Sequence, residues 1–465
     1  MKKLVCSIFL CLSFELIIAQ LNDKTFSEEE LIYIVKRYHP ISLQASNAVL
    51  ISETNVLKAR GQFDPFLQLG NSSKKLENLT YYNYQNADLK IPSWYGIDFG
   101  AGLEYVGGAK TDPQETQGSS SYMGISMPLL KNLVIDKRRA ALQQAKVMVN
   151  QIEVERNAIL NDLLYDALSQ YWEWVQAYRK LIILKEVVQV NQQRLDFTKR
   201  MIIQGERPGI DSIEATTQLQ YFLMLQNDAE LEVKNALLQL SIYTWQDNLL
   251  PYDLPFNIQP PTASNDIEYD LTSIKEYEDA MLASHPELEL YKYKFQFLDI
   301  NKKLKFQELL PSLNAKYNFI SKGNSFVSTP VQSLFQNNYQ YGLSFSMPLR
   351  LSDGRAEYKQ AKLKIKETQY MFEYKRQSLL NKVRTYFNML KVLQQQIALQ
   401  KSLLENHVLL VKGEETRFSI GESSLFVVNG REQKRIETEQ KLIESIAKYA
   451  KQKAAMKWVT GLLSK

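Results

Sequence analysis

The sequence predicts a mixed α and β protomer that contains two copies of one structural plan. Three observations predict it: repeated short motifs, stretches of strand-type alternation, and two very long segments almost free of glycine and proline. Ser27-x-x-Glu30 returns as Ser273-x-x-Glu276, displaced by 246 positions. Gly205-Glu206 returns as Gly421-Glu422, displaced by 216 positions. A period this long does not fit a solenoid, so the chain holds two large repeats.

The first 20 residues have the pattern of a secretory signal. Met1-Lys2-Lys3 precede a short apolar stretch that ends near the small residue Ala19. The alternative is an anchoring transmembrane helix, which needs about 20 apolar residues; Glu15 interrupts this stretch. We expect cleavage near Ala19. Both cysteines, Cys6 and Cys11, would leave with the signal, so thiol chemistry and disulfides are not expected.

Composition argues against several classes of function. A net charge of +5 with 23% charged residues gives no case for nucleic acid binding. The three histidines are scattered and no phosphate or dinucleotide loop is present, so we expect no metal, no cofactor and no enzyme. After the signal there is no apolar run of about 20 residues, so no transmembrane helix is expected either.

Each repeat begins with helix-start signals. The capping boxes at Ser27 and Ser273 are predicted to open a first helix. A second helix is expected after each His-Pro pair, because Pro40 and Pro286 suit the first helical position. We interpret His39 and His285 as helix-entry residues, and metal binding as the weaker alternative.

Strand-type alternation follows at about residues 63–128 and again at about 311–348. Apolar or aromatic residues alternate there with glycine and polar residues, as in Tyr95 to Tyr105 and Tyr339 to Met347. Such strands fit a transmembrane β-barrel between lipid and water. A half-buried soluble sheet is the alternative, but tyrosine-rich strand ends favour a membrane interface.

The number of strands in each group is expected to be even, because the flanking helices must lie on one side of the membrane. The second group fits two strands, near Leu313–Ile320 and Asn338–Pro348. The first group carries 26 more residues, roughly within Tyr81–Gly107. They form either an inserted hairpin beside two spanning strands, which we favour, or two further spanning strands.

Long helical hairpins complete each repeat, at 136–247 and 353–462. In the first hairpin, the helix from Asp136 to Gln204 ends at a glycine-rich tip and a return helix runs from Ile210 to Leu250. In the second, Gly413 and Ile420–Ser424 make the matching break. The chain is thus divided into a signal at 1–20, a first repeat at 21–247, a proline-rich equatorial connector at 248–272 and a second repeat at 273–465.

One chain has too few predicted strands to close a membrane barrel, because single-chain barrels begin at eight strands. An open sheet edge within lipid leaves backbone groups without hydrogen-bond partners. We therefore expect identical copies to pool their strands and to bring their long helices together.

These features resemble the TolC-type outer-membrane efflux proteins. Ser-Met-Pro-Leu precedes each long helix, at Ser126–Leu129 and Ser346–Leu349, and Asp136-x-x-Arg139 follows the first copy. Phe63-Asp64-Pro65 resembles the first-strand entry of many relatives. Each tip resembles the family pattern of an apolar or aromatic residue, Gly-Glu and a small polar residue. The resemblance covers about residues 25–462, and its strength lies in the order of motifs, which occurs twice.

The resemblance implies a homotrimer in the outer membrane of a Gram-negative cell. Its trimeric 12-strand transmembrane β-barrel would be continued by a long α-helical, coiled-coil periplasmic barrel. The whole would be a passive channel-tunnel, opened by a periplasmic adaptor (membrane fusion) protein and an inner-membrane transporter. The rival interpretation is a secreted coiled-coil structural or adhesin-like protein without a transport role.

The resemblance also implies a set of site residues. The adaptor-docking residues would lie at the two hairpin tips: Gly205, Glu206, Arg417, Gly421, Glu422 and Ser424. The tunnel-entrance candidates are Asp211, Phe426 and Asn429. The aspartate that often follows the second tip in this family is missing from Leu425–Asn429, which puts an acidic entrance in doubt. A hydrophobic constriction that gates by dewetting is one alternative, and packing of Phe426 and Val427 between helices is the other.

Overall fold

The computed structural model describes residues 25–112, 115–261, 273–324 and 337–464. The predicted signal at 1–20 and residues 262–272 of the predicted connector lie outside this part of the chain. The chain divides into two compact units, each assembled from separate segments. The described residues of the helical unit fall within the segments Met1–Ser46, Glu155–Leu288 and Lys375–Lys465. The sheet unit comprises Asn47–Val154 and Glu289–Tyr374.

Helices account for most of the described residues. Their bounds are α1 Glu28–Tyr38, α2 Pro40–Arg60, α3 Lys137–Ile203, α4 Ile210–Ser241, α5 Ile274–Ser284, α6 Pro286–Gln307, α7 Ser352–Ser419 and α8 Leu425–Val459. The longest, α3 and α7, contain 67 and 68 residues. No helix in the described part of the chain is both long and apolar enough to cross a membrane.

The strands form one large sheet and one very small one. Their bounds are β1 Phe66–Leu76, β2 Leu79–Pro92, β3 Asp98–Gly107, β4 Gly118–Pro128, β5 Trp245–Gln246, β6 Leu250–Pro251, β7 Ser312–Lys322 and β8 Tyr339–Ser346. The large sheet has six antiparallel strands in the order β1-β2-β3-β4-β7-β8. The repeats therefore meet at the ladder between β4 and β7.

The two strand groups differ in size. The second repeat supplies the two predicted strands, β7 and β8. The first repeat supplies four, and the additional residues form most of β2 and all of β3. The favoured prediction placed these residues in an inserted hairpin beside two spanning strands; the structure makes them strands of the large sheet, because β2 and β3 pair along their lengths with both neighbours. Two further antiparallel strands leave the chain entering and leaving the sheet at the same end. The inserted hairpin and the two further sheet strands therefore have the same pattern in the sequence.

The core of the helical unit is aromatic at its centre. Trp174 and Tyr171 of α3 are almost fully buried and meet Phe26 at ring-centroid distances of 6.3 Å and 6.2 Å. The Tyr171 hydroxyl donates to the Phe26 carbonyl at 2.9 Å, which satisfies its polar end. These contacts attach the start of the first repeat to its long helix.

Both predicted helix starts are present in each repeat. Ser27 and Glu30 form the full capping box, in which each side chain accepts from the other residue's amide, at 3.2 Å and 2.9 Å. Ser273 accepts from the Glu276 amide at 3.3 Å. The Nδ1 atom of His285 accepts from the Glu287 amide at 3.1 Å, and His39 makes the same contact with Ile41 at 3.2 Å. The histidines are therefore helix-entry residues, as interpreted.

Two predicted helix limits were wrong. Gly413 lies inside α7, which continues to Ser419, so the second tip has one break and not two. The first return helix ends at Ser241 and not at Leu250, because β5 and β6 pair there as a short hairpin. Asn248 adopts a φ of 64° in the turn between them, which a helix cannot contain.

Asp136 caps the first long helix. Its carboxylate accepts from the Arg139 amide at 2.8 Å, and its carbonyl accepts from the Ala140 amide at 2.9 Å. The Arg139 guanidinium donates to the carbonyl of Leu133 at 3.0 Å. The motif Asp136-x-x-Arg139 thus has a local physical role, because it sets where the chain leaves the sheet and enters α3.

Candidate functional site

The large sheet has one apolar face and one polar face. A row of register partners crosses all six strands on the apolar face: Leu67, Leu89, Ala101, Met123, Phe319 and Tyr339. The adjacent row on the same face is Ile91, Phe99, Ile125, Tyr317 and Tyr341. The large side chains of this face are widely exposed, with Leu69 at 72% and Tyr341 at 72%. Within the described residues, no other apolar surface covers these exposed side chains.

Tyrosines gather at one part of the apolar face. The rings of Tyr317 and Tyr339 stack at 6.0 Å, and Tyr339 lies 6.3 Å from Tyr341. Tyrosine has an apolar ring and a polar hydroxyl, so it favours the boundary between lipid and water.

The opposite face of the sheet is polar and rich in glycine. The Tyr122 hydroxyl on β4 donates to the Asp88 carboxylate on β2 at 2.6 Å. This hydrogen bond passes over Gly102 on β3, where a Cβ atom would lie 2.4 Å from the Tyr122 ring and 2.6 Å from the Asp88 carboxylate. Glycine at this position is therefore required for the contact, which joins three strands on the polar face.

The hairpin tips of the two repeats have the same backbone. Gly205 and Gly421 adopt φ angles of 78° and 83°, which favour glycine. The next amide, of Glu206 or Glu422, donates back to the carbonyl five residues earlier at 3.0 Å or 2.9 Å. The glycine amide itself donates three residues back, at 3.0 Å and 3.2 Å. Each long helix thus ends in a Schellman motif.

Arg207 links the two tips. Its guanidinium lies 4.1 Å from the centroid of the Phe418 ring and donates to the Phe418 carbonyl. It also reaches the Ser423 carbonyl at 3.5 Å. Phe418 is buried with Leu425 and Val428 in a small apolar cluster. No repeated motif indicates this contact, because the position matching Arg207 in the second repeat is Ser423.

A buried ion pair lies behind the tips. Arg194 of α3 and Glu432 of α8 form two contacts, at 2.7 Å and 3.1 Å, and the Glu432 side chain is only 3% exposed. Asn191 donates to the same carboxylate at 3.1 Å, and Arg194 also bonds Glu415 of α7 at 3.0 Å. Burial opposes the charge of Arg194, but its acidic partners outweigh that effect and raise the pKa of its guanidinium.

The predicted tunnel-entrance residues have three different environments. Phe426 is 75% exposed, so within this chain it does not pack between helices as one alternative expected. Asn429 is buried and donates to the Glu214 carboxylate at 3.3 Å, which ties α8 to α4. Asp211 lies in the first turn of α4 and is partly exposed. Sequence reasoning missed Glu214, which places a second carboxylate one turn from Asp211.

The predicted docking residues lie at the surface of the tips. Glu206 and Glu422 are exposed, and Ser424 is the exposed N-cap residue of α8. Arg417 is exposed too, and it lies 3.9 Å from Glu414. Exposed isoleucines flank these polar groups, with Ile203 at 85% and Ile420 at 65%. The structure therefore brings all six predicted residues to one end of the helical unit, beside an apolar surface. The described residues contain no cluster of three or more side chains suited to a metal.

Similar folds occur among solved structures of channel proteins. CusC matches with a TM-score of 0.65 and 14% identity, and the alignment covers 93% of this chain and 91% of that one. The CmeC outer membrane channel of Campylobacter jejuni matches with a TM-score of 0.63 and 15% identity, covering 93% and 85%. The open state of the MtrE outer membrane channel of Neisseria gonorrhoeae matches with a TM-score of 0.62 and 13% identity, covering 93% and 88%. The chain therefore has the fold of these outer-membrane channels.

A family model matches most of the second repeat. Residues 282–461 match the model of the outer membrane efflux protein family. The predicted resemblance to TolC-type efflux proteins is thus confirmed, over these residues by the family model and over the described chain by the fold. No curated protein matched the sequence.

Proposed function

We propose that this chain is the outer-membrane exit duct of a tripartite efflux or secretion system. The observation that carries the proposal is the sheet with one exposed apolar face and one polar, glycine-rich face. A strand wall between lipid and a water-filled lumen requires that alternation on every strand. The row from Leu67 to Tyr339 supplies it across all six.

Copies of the chain complete the wall. Six strands are fewer than the eight of the smallest single-chain barrels. An open edge within lipid is costly, because each backbone group there lacks a hydrogen-bond partner. We infer a homotrimer, in agreement with the resemblance described above, whose long hairpins continue the wall as a helical conduit into the periplasm.

The tips are the proposed docking surface for a periplasmic adaptor, which links the duct to an inner-membrane transporter. The Schellman motifs hold Gly205-Glu206 and Gly421-Glu422 in matching positions on rigid turns. Exposed charged groups and isoleucines surround them. A partner can thus recognise the same small motif on both repeats.

The tunnel entrance is proposed to be lined partly by an apolar side chain. Phe426 is exposed in the first turn of α8, where an aspartate often stands in relatives. In a trimer, three such rings would narrow the entrance and gate it by dewetting. Asp211 and Glu214 supply the nearby negative charge on α4, and Asn429 holds the two helices together.

Fractionation tests the proposed location. The protein should remain in the outer membrane after a wash with high salt, because its apolar sheet face needs lipid. A secreted coiled-coil scaffold or adhesin would be released by that wash. Release of the bulk of the protein would exclude the duct.

A tip variant tests the proposed docking surface. Gly421→Pro cannot adopt a φ of 83°, and it also removes the amide that donates to Phe418. In cells that carry the cognate adaptor and pump, this variant should lose resistance while the outer-membrane trimer persists. Gly209→Ala is the matched control, because its φ of −59° suits any residue. Wild-type resistance in Gly421→Pro would remove the tip assignment.

A further inference from the structure

We propose that each chain places all six strands of its large sheet in the membrane wall, so that three copies close an eighteen-strand barrel. In this barrel, β1 of one copy pairs with β8 of the next. The inference rests on the proposed trimeric duct, but it departs from the twelve-strand wall that the family resemblance implies. It assigns the outer edges of β1 and β8 as the interface between copies.

The two additional strands are full members of the sheet. β3 pairs with β2 from Asp98 to Gly107 and with β4 from Asp98 to Val106. β2 pairs with β1 from Phe66 to Leu76. A hairpin that lay outside the wall would leave β1 to pair directly with β4, and the register excludes that arrangement.

The additional strands also have the chemistry of the wall. On the apolar face, Leu89 and Ile91 of β2 and Phe99 of β3 continue the rows that begin on β7 and β8. On the polar face, Gly100 aligns with Gly124, Asn318 and Gln340. Lipid on one side and water on the other explain this division for the parts of β1 and β2 that hold Leu67, Leu69, Ala87, Leu89 and Ile91. Nearer the turn between β1 and β2, the same face carries Asn71, Ser73, Asn83 and Gln85, so the apolar rows are shorter there.

A specific contact holds the additional strands in place. The hydrogen bond from Tyr122 to Asp88 joins β4 to β2 across β3, over the space that Gly102 leaves open. Such a contact requires β2, β3 and β4 to remain adjacent at one register. It argues that these strands act as one unit and not as a wall with a loose hairpin.

The two edges of the sheet are suited to each other. With six strands in antiparallel order, β1 and β8 run in opposite directions, so β1 of one copy and β8 of the next form another antiparallel ladder. β8 is exposed at every residue and β1 at all but Gly70. Neither outer edge pairs with a strand in the described part of the chain. A long exposed edge with an apolar face is otherwise an aggregation hazard.

The apolar band shifts along the strands from one edge to the other. Phe345 of β8 and Leu313 of β7 extend it toward the end of the sheet where β8 finishes, whereas Leu69 extends it the opposite way on β1. Strands that tilt relative to the barrel axis produce this shift, because a band of apolar residues parallel to the membrane then crosses each strand at a different residue.

An eighteen-strand wall would be about one and a half times as wide as a twelve-strand wall, because barrel diameter grows roughly linearly with strand number.

Cysteine cross-linking in outer membranes tests the proposal directly. Residues 21–465 contain no cysteine, so engineered pairs would be the only thiols of the secreted chain. Cysteines at water-facing positions of β1 (Gln68, Gly70, Ser72) would be combined with cysteines at Gln340, Gly342 and Ser344 of β8. At least one combination should convert most of the protein to disulfide-linked trimers, seen on gels without reductant.

Two controls separate the outcomes. Lys316→Cys with Gly342→Cys joins register partners within one chain and reports that oxidation works. Gly100→Cys or Glu104→Cys on β3, each combined with the same β8 positions, would link copies only if β1 and β2 lay outside the wall. Ser120→Cys or Ser126→Cys on β4, each combined with the β1 positions, would form links only if the β2–β3 hairpin lay outside the wall and β1 paired with β4. Links from β3 to β8, links from β1 to β4, or no link from β1 to β8 while the internal control forms, would each overturn the eighteen-strand wall. Twelve strands counted by electron cryo-microscopy of the purified trimer would do the same. A protein that is monomeric or absent from the outer membrane would instead contradict the proposed function.

Discussion

The two repeats agree at the ends of their helices and differ in their strands. Both begin with a Ser–Glu cap and a histidine at the entry of the second helix, and both long helices end in the same glycine turn. Within the described residues, however, the first repeat supplies four strands to the large sheet and the second supplies two. Helix ends impose exact backbone requirements, whereas an antiparallel sheet accepts two more strands without moving its ends.

Contacts between the repeats are not symmetric either. The positions that match Arg194 and Glu432 under the 216-residue displacement are Leu410 and Thr216. The buried ion pair therefore occurs once, between α3 and α8, and has no counterpart between α7 and α4. The repeats share local turns, but the helical unit depends on interactions that only one of them supplies.

The largest expected effect comes from breaking that asymmetric pair. Arg194→Met should lower the free energy of unfolding by about 3–5 kcal/mol, because it leaves the buried Glu432 carboxylate without its partner. The double variant Arg194→Met/Glu432→Leu should recover most of the loss. Thermal and denaturant unfolding of the detergent-solubilised protein would measure both.

An exposed ion pair is the matched control. Lys180 and Glu232 are 2.8 Å apart, but their side chains are 36% and 53% exposed. Lys180→Met should therefore cost at most about 1 kcal/mol. Equal losses for Lys180→Met and Arg194→Met would show that burial does not set the strength of the Arg194–Glu432 interaction.

The histidines at the helix entries predict a pH dependence in both repeats. Burial lowers the pKa of His285 to about 4; the nearby Glu287 carboxylate opposes this effect, and Lys375 and Lys382 add to it. The unfolded state therefore takes up the proton first, so this stability is present above the unfolded pKa of about 6.5 and is lost as the pH falls toward 4. The loss should reach about 3 kcal/mol.

His285→Asn should flatten this acid limb, because asparagine can still accept the Glu287 amide but carries no charge at low pH. His39→Asn should act in the same direction, since burial also lowers the pKa of His39. The measurement is the unfolding free energy of each protein between pH 7 and pH 4. An unchanged slope in both variants would contradict the burial of neutral histidine at these entries.

The tip glycines should respond equally. Gly205→Ala and Gly421→Ala each place a side chain at a positive φ, which costs about 1–2 kcal/mol. Neither added Cβ would meet another atom within 4 Å, so the cost reflects the backbone alone. Similar decreases in unfolding free energy would confirm that the two tips share one turn. A neutral effect at one tip would show that its turn differs.

The smallest effect is expected at the helix caps. Ser27→Ala and Ser273→Ala should each cost about 1 kcal/mol. The cost should be greater at Ser27, because losing its hydroxyl also loosens the reciprocal bond of the capping box, in which the Ser27 amide donates to the Glu30 carboxylate. Thermal unfolding of both variants would rank them, and a larger loss at Ser273 would reverse the expected order.

Features that depend on nearby residues were predictable from the sequence. Capping boxes, histidine entries and glycine tips all involve residues within five positions of one another, so their spacing identifies them. The alternation of the strands was also visible, because it repeats every second residue. These patterns located the sheet, the long hairpins and the candidate docking residues.

Features that depend on distant partners were not predictable. The Arg194–Glu432 pair joins residues separated by 238 positions, and Arg207 meets Phe418 across 211. Arg194, Glu432 and Arg207 are charged residues on helical or loop segments, where side chains are ordinarily exposed to solvent. The membership of β2 in the sheet likewise depends on ladders with both neighbours, which the alternation alone does not define.

We propose that copies of this chain join their incomplete sheets into one conducting wall. The decisive measurement is single-channel recording of the purified protein in planar lipid bilayers, with its mass in detergent determined in parallel. We expect a trimer that gives stable, stepwise ion conductance. A stable monomer that inserts into bilayers without conducting ions would rule out the shared wall.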